Sequence, residues 1–306
     1  MKLSWIIPVY NSGAFLDEAV HSILANMPSK CDCEIFLVND CSTDLETIRS
    51  LDVWKRSPVV KVLNQAENGG PARARNAGLL ASTGDWVAFL DADDVVAPGS
   101  VEERLMAIAK YSEIRWIVGD MLETREAGKN FHLNSFPKAT KEGNELSKNL
   151  FKVSQPVAKI ALWGMLPFLG AMMIRRDLLA ECGPLNEELV YGEDIHFCLV
   201  LACFADMYWL DRPVLHLRRY HESMTKNLVR AALEAPRASL VCLKDPRLRS
   251  VRKQMRWHYA ANLRQSSSVF LQHRMRLRAI TYAARSILWS PNDFRSLKAL
   301  YKSCFS

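Results

Sequence analysis

The sequence predicts an α/β protein, a doubly wound and mostly parallel sheet followed by a basic helical extension. Three observations carry that expectation. In the first 120 residues, apolar runs of strand length alternate with stretches of helical period, the pattern of successive βαβ units. The strand runs are apolar without alternation, as strands covered on both faces must be. Polar residues stand at the carboxyl ends of those runs, where open α/β sheets bind their ligands. A length of 306 residues suits one or two domains. We expect residues 1–225 to form the α/β domain and 226–306 the extension.

Residues 3–11 open as a buried strand that runs through Pro8 and Val9 into Tyr10 and Asn11. A helix then reaches about residue 26, with Phe15, Ala19, Val20, Ile23 and Leu24 on one apolar stripe. Residues 34–40 form a second strand ending on Asp40. Cys41, Ser42, Thr43 and Asp44 make a turn into a helix over 45–51, with Ser42 and Thr43 as capping side chains. Residues 59–64 are a third strand. After Gly69, Gly70 and Pro71, an alanine-rich helix over 72–81 carries Arg73 and Arg75. The fourth strand, 86–90, runs straight into Asp91, Ala92, Asp93 and Asp94. A helix over 100–111 and a strand near 116–119 complete this region.

Residues 123–155 are polar and read as loops with a short helix. The uncharged apolar run 160–174 is 15 residues long and contains Gly164, Pro167 and Gly170. It falls short of the roughly 20 residues a membrane-spanning helix needs, so it reads as buried or interfacial. Tyr191 and Gly192 lead into Glu193 and Asp194, which head an apolar helix to about residue 205. Two short strands are expected over 207–210 and 214–218, and the chain is helical from Asn227 onward.

The apolar fraction of 49% and charged fraction of 24% are those of a soluble globular protein. The net charge of +7 is not spread evenly. Residues 244–306 hold 14 Lys and Arg against 2 Asp and Glu, so the preceding 243 residues carry −5. The basicity belongs to the tail and excludes a nucleic-acid groove along the sheet. Eight cysteines without a C-x-x-C pair argue against a zinc site and for a reducing compartment. The first residues reach Pro8 and Asn11 too soon for a secretory signal, so a cytoplasmic location is expected.

Three carboxylates within four positions repel one another and lose hydration when crowded, which calls for a cation. A hard divalent ion with oxygen ligands, Mg²⁺ or Mn²⁺, is the natural one, and it commonly carries phosphate oxygens. The alternative is a solvated acidic turn before the helix at Ser100. Polar groups after strand one (Tyr10, Asn11), strand two (Asp40) and strand four (Asp91, Asp93) converge on one crevice, which favours the ligand site.

Five motifs stand in order: Pro8-Val9-Tyr10-Asn11, residues 38–44 around Asp40, residues 68–78 from Asn68 to Gly78, Asp91-Ala92-Asp93-Asp94, and Gly192-Glu193-Asp194. The series closely resembles the family 2 glycosyltransferases of GT-A fold, inverting enzymes that use nucleotide sugars, of the bacterial cell-surface polysaccharide type. The resemblance covers about residues 3–225. It implies a nucleotide pocket built from Pro8, Val9, Tyr10, Asn11, Asp40, Gly69, Arg75, Asp91 and Ala92. In it Asp40 meets the nucleobase, Tyr10 lines it, and Arg75 neutralises phosphate or contacts the base; alternatively, Arg75 is a surface charge on its helix. It further implies Asp93 as a direct metal ligand, Asp91 on the ribose or on metal-bound water, and His221 as a second ligand. Asp194 becomes the base that takes the acceptor proton, with Glu193 orienting the acceptor or that base. Backbone N–H groups at the helix start keep Asp194 ionised. One departure stands out: the family's arginine shortly after the Glu-Asp pair is absent from residues 197–201.

The tail has two amphipathic basic stretches, 247–271 and 275–288, interleaved with Trp257, Tyr259, Phe270, Tyr282 and Trp289. They suit attachment to an anionic membrane surface or, equally, a helical subdomain with a solvated arginine face. The expected activity is metal-assisted transfer from a nucleotide-diphosphate sugar, a UDP-sugar foremost. The expected acceptor is a hydroxyl of a saccharide or lipid-linked glycan, reached at the inner face of the cell membrane. Two alternatives remain open at this stage. One is a non-catalytic nucleotide-sugar-binding or membrane scaffold protein. The other is a sugar nucleotidyltransferase, which should open with a glycine-rich basic loop where this chain has Pro8-Val9-Tyr10-Asn11.

Overall fold

The computed structural model describes residues 1–124, 130–133, 144–163, 167–218 and 227–305. The first elements are β1 (Lys2–Val9), α1 (Phe15–Asn26), β2 (Asp32–Asn39), α2 (Leu45–Trp54), β3 (Val60–Asn64), α3 (Gly70–Ala81) and β4 (Trp86–Phe89). The strands lie side by side in the order β3-β2-β1-β4, all parallel. Trp5, Ile6, Ile35, Phe36, Val87 and Phe89 are buried, as unbroken apolar runs in a doubly covered sheet require. Helix α3 sits close on this half-sheet because Gly78 has no side chain. A Cβ there would stand 2.5 Å from Ile6 Cγ2.

The chain continues through β5 (Val95–Val96), α4 (Ser100–Lys110), β6 (Trp116–Thr124), β7 (Asn130–Leu133), β8 (Asn144–Ser147) and β9 (Leu150–Val153). Then come α5 (Pro156–Trp163), a 3-10 turn, β10 (Met172–Arg175), α6 (Arg176–Cys182), α7 (Glu193–Phe204) and β11 (Met207–Arg218). The sheet extends as β4-β10-β6-β11-β9-β8. Strand β10 runs antiparallel to both its neighbours, whereas β6 and β11 are parallel.

Two expectations are corrected here, for 123–155 and 207–218, and the burial expected of 160–174 is borne out. The polar region 123–155 contributes strands β7, β8 and β9, not loops with a short helix. Pairing with β6 and β11 satisfies their backbone groups, and the β8–β9 edge hairpin tolerates polar side chains that no core strand would. Gly128, Pro137 and Gly143 of that region lie outside the described residues. The apolar run 160–174 divides between α5 and the buried strand β10. Residues 207–218 are one strand, not two, with register shifts at Pro213, which cannot donate to the ladder.

The chain packs as two compact units. The first comprises Met1–Pro156, Met165–Glu187 and Phe204–His221, and so holds the sheet. The second comprises Val157–Gly164, Glu188–Cys203 and Glu222–Ser306. It gathers α5 and most of α7 with the tail helices α8 (Leu228–Lys244), α9 (Arg252–Gln272), α10 (Arg276–Trp289) and α11 (Phe294–Phe305). Tyr259 and Phe270, two of the tail aromatics, are interior residues stacked edge-on against Trp289 and Tyr282. No described helix is long and apolar enough to cross a membrane.

Candidate active site

At the end of β1, Asn11 takes a left-handed backbone (φ 50°), which asparagine adopts more readily than most residues. Its Oδ1 accepts the backbone N–H groups of Thr43 (2.8 Å) and Asp44 (3.2 Å), and its own N–H donates to Ser42 Oγ at 3.1 Å. Ser42 and Thr43 thus strap the β2–α2 loop to the end of β1. The cap of α2 is Asp44 instead, accepting from Thr47 N–H at 2.8 Å, because Asp44 is the extended residue directly before the first helical turn. Pro8 is half-buried and Val9 buried, and the Val9 carbonyl accepts Asp40 N–H at 2.8 Å. Tyr10 is 54% exposed beside them.

Asp40 is buried at the end of β2. Its two oxygens accept the N–H groups of Gly69 and Gly70, each at 2.8 Å, where α3 begins. A carboxylate against the first amides of a helix also meets the positive end of its dipole. Each oxygen keeps a further lone pair for a ligand. One turn on, Arg75 is buried, its side chain 6% exposed, and it donates to Asp91 Oδ1 at 2.7 Å. It is not a solvated surface charge.

Asp91, Asp93 and Asp94 each place a carboxylate oxygen within 4.8 Å of the others. The turn that folds them together is closed by Asp94 N–H donating to the Asp91 carbonyl at 3.0 Å, with Ala92 buried between. Asp94 is buried and accepts Arg218 N–H from the end of β11 at 3.1 Å. The Arg218 guanidinium in turn meets Glu18 at 2.8 Å and stands 5.3 Å above the Phe15 ring. Clustered carboxylate oxygens are the donor set of a hard divalent cation and fit Mg²⁺ or Mn²⁺. His221 lies outside the described residues.

Glu193 and Asp194 form the first turn of α7 in the second unit. Asp194 Oδ1 accepts Ile195 N–H at 2.8 Å, and Glu193 is buried. Gly192 precedes them at φ 78°, where an added Cβ would stand 2.9 Å from Ala238 Cβ on α8. One residue past Ile195, buried His196 bonds through Nε2 to Asp245 Oδ2 at 2.8 Å. Asp245 also accepts the Arg247 backbone N–H and its guanidinium. Burial pushes the Asp245 carboxyl up, but the Arg247 and His196 hydrogen bonds outweigh it and bring the pKa down to about 2. Burial lowers the His196 imidazole below its ordinary value against the pull of Asp245.

The sequence profile described as glycosyl transferase family 2 matches residues 4–179, more than half of the chain. The chain belongs to glycosyl transferase family 2. It is 32% identical over 189 residues to an uncharacterized glycosyltransferase of Nostoc sp., covering 61% of this chain and 54% of that protein. It is 26% identical over 202 residues to the poly(ribitol-phosphate) beta-N-acetylglucosaminyltransferase TarS of Staphylococcus aureus, covering 65% of this chain and 32% of TarS. The matched stretches thus span about half or less of the length of those relatives. The crystal structure of S. aureus TarS 1–349 in complex with UDP-GlcNAc aligns with a TM-score of 0.67 at 20% identity, over 94% of this chain and 81% of that one. At that identity the likeness is one of fold, and it bears out the expected GT-A architecture with helices at the carboxyl end.

Within this family 2 glycosyltransferase chain, the first unit brings Asn11, Asp40, Gly69, Arg75 and the three aspartates to the carboxyl ends of β1, β2 and β4. Two contributors went unassigned in the sequence. Asp94 was visible as a third carboxylate, but its anchor Arg218 is 124 residues away. The His196–Asp245 link has only one local signal, the Asp-Pro-Arg series at 245–247, which reads as a helix cap.

Proposed function

We propose that the chain transfers a sugar from a nucleotide-diphosphate donor to an acceptor hydroxyl, with inversion at the anomeric carbon. The observation that carries this reading is the convergence of Asp40 with the α3 amides and the Asp91–Asp93–Asp94 cluster at the ends of parallel strands. A UDP-sugar is the proposed donor, supported by the UDP-GlcNAc in the TarS structure of similar fold. Pro8, Val9, Tyr10, Asn11 and Asp40 take the nucleobase. Gly69 and Ala92 let backbone approach the donor, and Arg75 orients Asp91 toward the ribose. Asp93 and His221 would hold the divalent cation. That ion, when bound, supplies positive charge to the departing diphosphate.

Asp194 accepts the proton of the attacking hydroxyl, and Glu193 orients the acceptor. A single base acting as the hydroxyl attacks opposite the leaving diphosphate gives inversion. The acceptor is a saccharide or lipid-linked glycan, met at an anionic membrane surface on the cytoplasmic side through the helices of residues 226–306. Functionally, residues 1–225 are the catalytic portion.

Thermal unfolding with UDP, GDP, CDP and TDP, each with and without Mn²⁺, tests the donor site. A metal-dependent rise with UDP is expected. At one hundred times the dissociation constant it corresponds to about 2.7 kcal/mol. No shift with any nucleotide would sink the reading.

A further inference from the structure

Helix α11 carries three separate faces. Ser296 and Ser303 are buried against the second unit's core. Phe294, Leu297 and Tyr301, spaced i, i+3 and i+7, stand 75%, 49% and 67% exposed. Between these faces runs a basic stripe at the same spacing, Arg295, Lys298 and Lys302. A helix that only packed on its neighbours would not present a large apolar stripe to water beside a row of cations. Arg295 also lies 5.7 Å over the ring of Trp257, another exposed aromatic.

The basic stripe lines a cavity of about 180 Å³ between α9 and α11. Its wall is Arg295, Lys298 and Lys302 on one side and Ser267, Ser268 and Leu271 on the other. Ser267 and Ser303 direct their hydroxyls inward, to the Ala279 and Ala299 carbonyls, which leaves Ser268 as the exposed hydroxyl donor. The nearby acid, Asp293, is already neutralised by Arg264 at 3.1 Å and by Arg295 at 2.8 Å. Arg295 spends Nε and Nη2 on that pair and keeps Nη1. Among the described residues, no ion pair engages Lys298 or Lys302. The cavity therefore holds an excess of positive charge with hydrogen-bond donors converging on it, which is the chemistry that recognises a phosphate.

We infer that this cavity is a phosphate-headgroup site, and that α11 seats on an anionic bilayer with Phe294, Leu297 and Tyr301 in the interface. Apolar insertion next to headgroup cations is the pattern of an interfacial helix. The inference deepens the membrane part of the proposed function and rests on it; it is independent of the donor site.

Co-sedimentation of the full chain with vesicles tests it. Phosphatidylcholine vesicles should leave the protein in solution, and vesicles also containing phosphatidylglycerol should pull it down. Lys298→Ala with Lys302→Ala, both exposed in the fold, should weaken that binding about thirtyfold, from about fivefold per cation. Phe294→Ser with Tyr301→Ser should also release the protein. The control is Arg252→Ala with Lys253→Ala, the same charge loss about 21 Å further along α9 from Ser267. It should cost less than about fivefold. If the control pair costs as much as the cavity pair, diffuse charge explains binding; the membrane reading stands and the site falls. If the wild-type chain ignores anionic vesicles, both fall. Saturable binding of linear polyphosphate, lost in the cavity pair without any vesicle binding, would replace the lipid with a soluble polyanion. Vesicle binding without nucleotide binding would overturn the donor site and leave this inference intact.

Discussion

The two compact units treat charge in opposite ways. In the first, Glu34, Asp40, Arg75 and Arg218 are buried and held by backbone and neighbours. Glu34, under the sheet, takes Ser4, the Thr83 amide, Lys2 and Lys61. Asp40 takes two amides, Arg75 takes Asp91, and Arg218 takes Glu18. In the second, most charge is arginine and lysine on exposed helix faces, beside exposed Leu277, Leu288 and Phe294. Pinned charges hold a small ligand at defined distances, whereas mobile ones act through their summed field on a broad surface. The His196–Asp245–Arg247 knot and the Arg264–Asp293 pair are exceptions in the second unit, and the knot begins two residues after the proposed base.

The largest effect expected concerns the proposed base beside that knot. Asp194→Asn should lower turnover by roughly 10²–10⁴ while UDP binding stays unchanged, separating base chemistry from the pinned donor site. Loss of UDP binding in that variant would blur the division between units. Next, Glu34→Ala removes the buried acceptor shared by Ser4, the Thr83 amide and the partly exposed Lys2 and Lys61, and should cost about 1–3 kcal/mol in denaturant unfolding. Burial raises the Glu34 carboxyl, but hydrogen bonds from Lys2, Thr83, Ser4 and Lys61 outweigh it and hold the group well below the ordinary range. Its contribution is therefore complete above the unfolded value near 4.3 and is lost as pH falls through the lower folded value. The variant should show a flatter acid limb.

Gly78→Ala should cost about 1–3 kcal/mol, because Ile6 must move to admit the methyl group. An unchanged melting point would mean that α3 rides more loosely on the sheet than its contacts indicate. The smallest effect belongs to His196. Its folded pKa lies below the free value near 6.5, so stability is complete above that pH and falls below it, where the unfolded chain takes up a proton that the buried ring resists. His196→Gln should reduce that loss when unfolding is compared at about pH 7 and about pH 5. An identical slope in both proteins would remove His196 from the acid response.

The parallel half-sheet was legible because each of its signals is local. An apolar run such as residues 35–38 needs only its own side chains to declare a strand, and a carboxylate at its end declares the crevice. The edge hairpin β8–β9 was not legible, since its strandness comes from pairing with β11 and not from its own composition. The single strand at 207–218 was hidden by Asp211, Arg212 and Pro213, which read as a break and fold as a bulge. In the site, Asp40 and the aspartate cluster were visible as residues. Their pairings were not, because Gly69, Arg75 and Arg218 meet them only after the chain has folded back.

Strand β11 enters the sheet between β6 and β9, although it is the last strand in the sequence. The hydrogen bond from Arg218 to Asp94 therefore forms only once residue 218 has been made, 124 positions after its acceptor. A nascent chain emerging amino-end first can assemble β1 to β4 early, since all four strands lie before residue 90. The aspartate cluster gains its rear support much later. A growing polypeptide thus holds a formed sheet half whose acidic turn has its own Asp91–Asp94 hydrogen bond but lacks the Arg218 brace until residue 218 has been made.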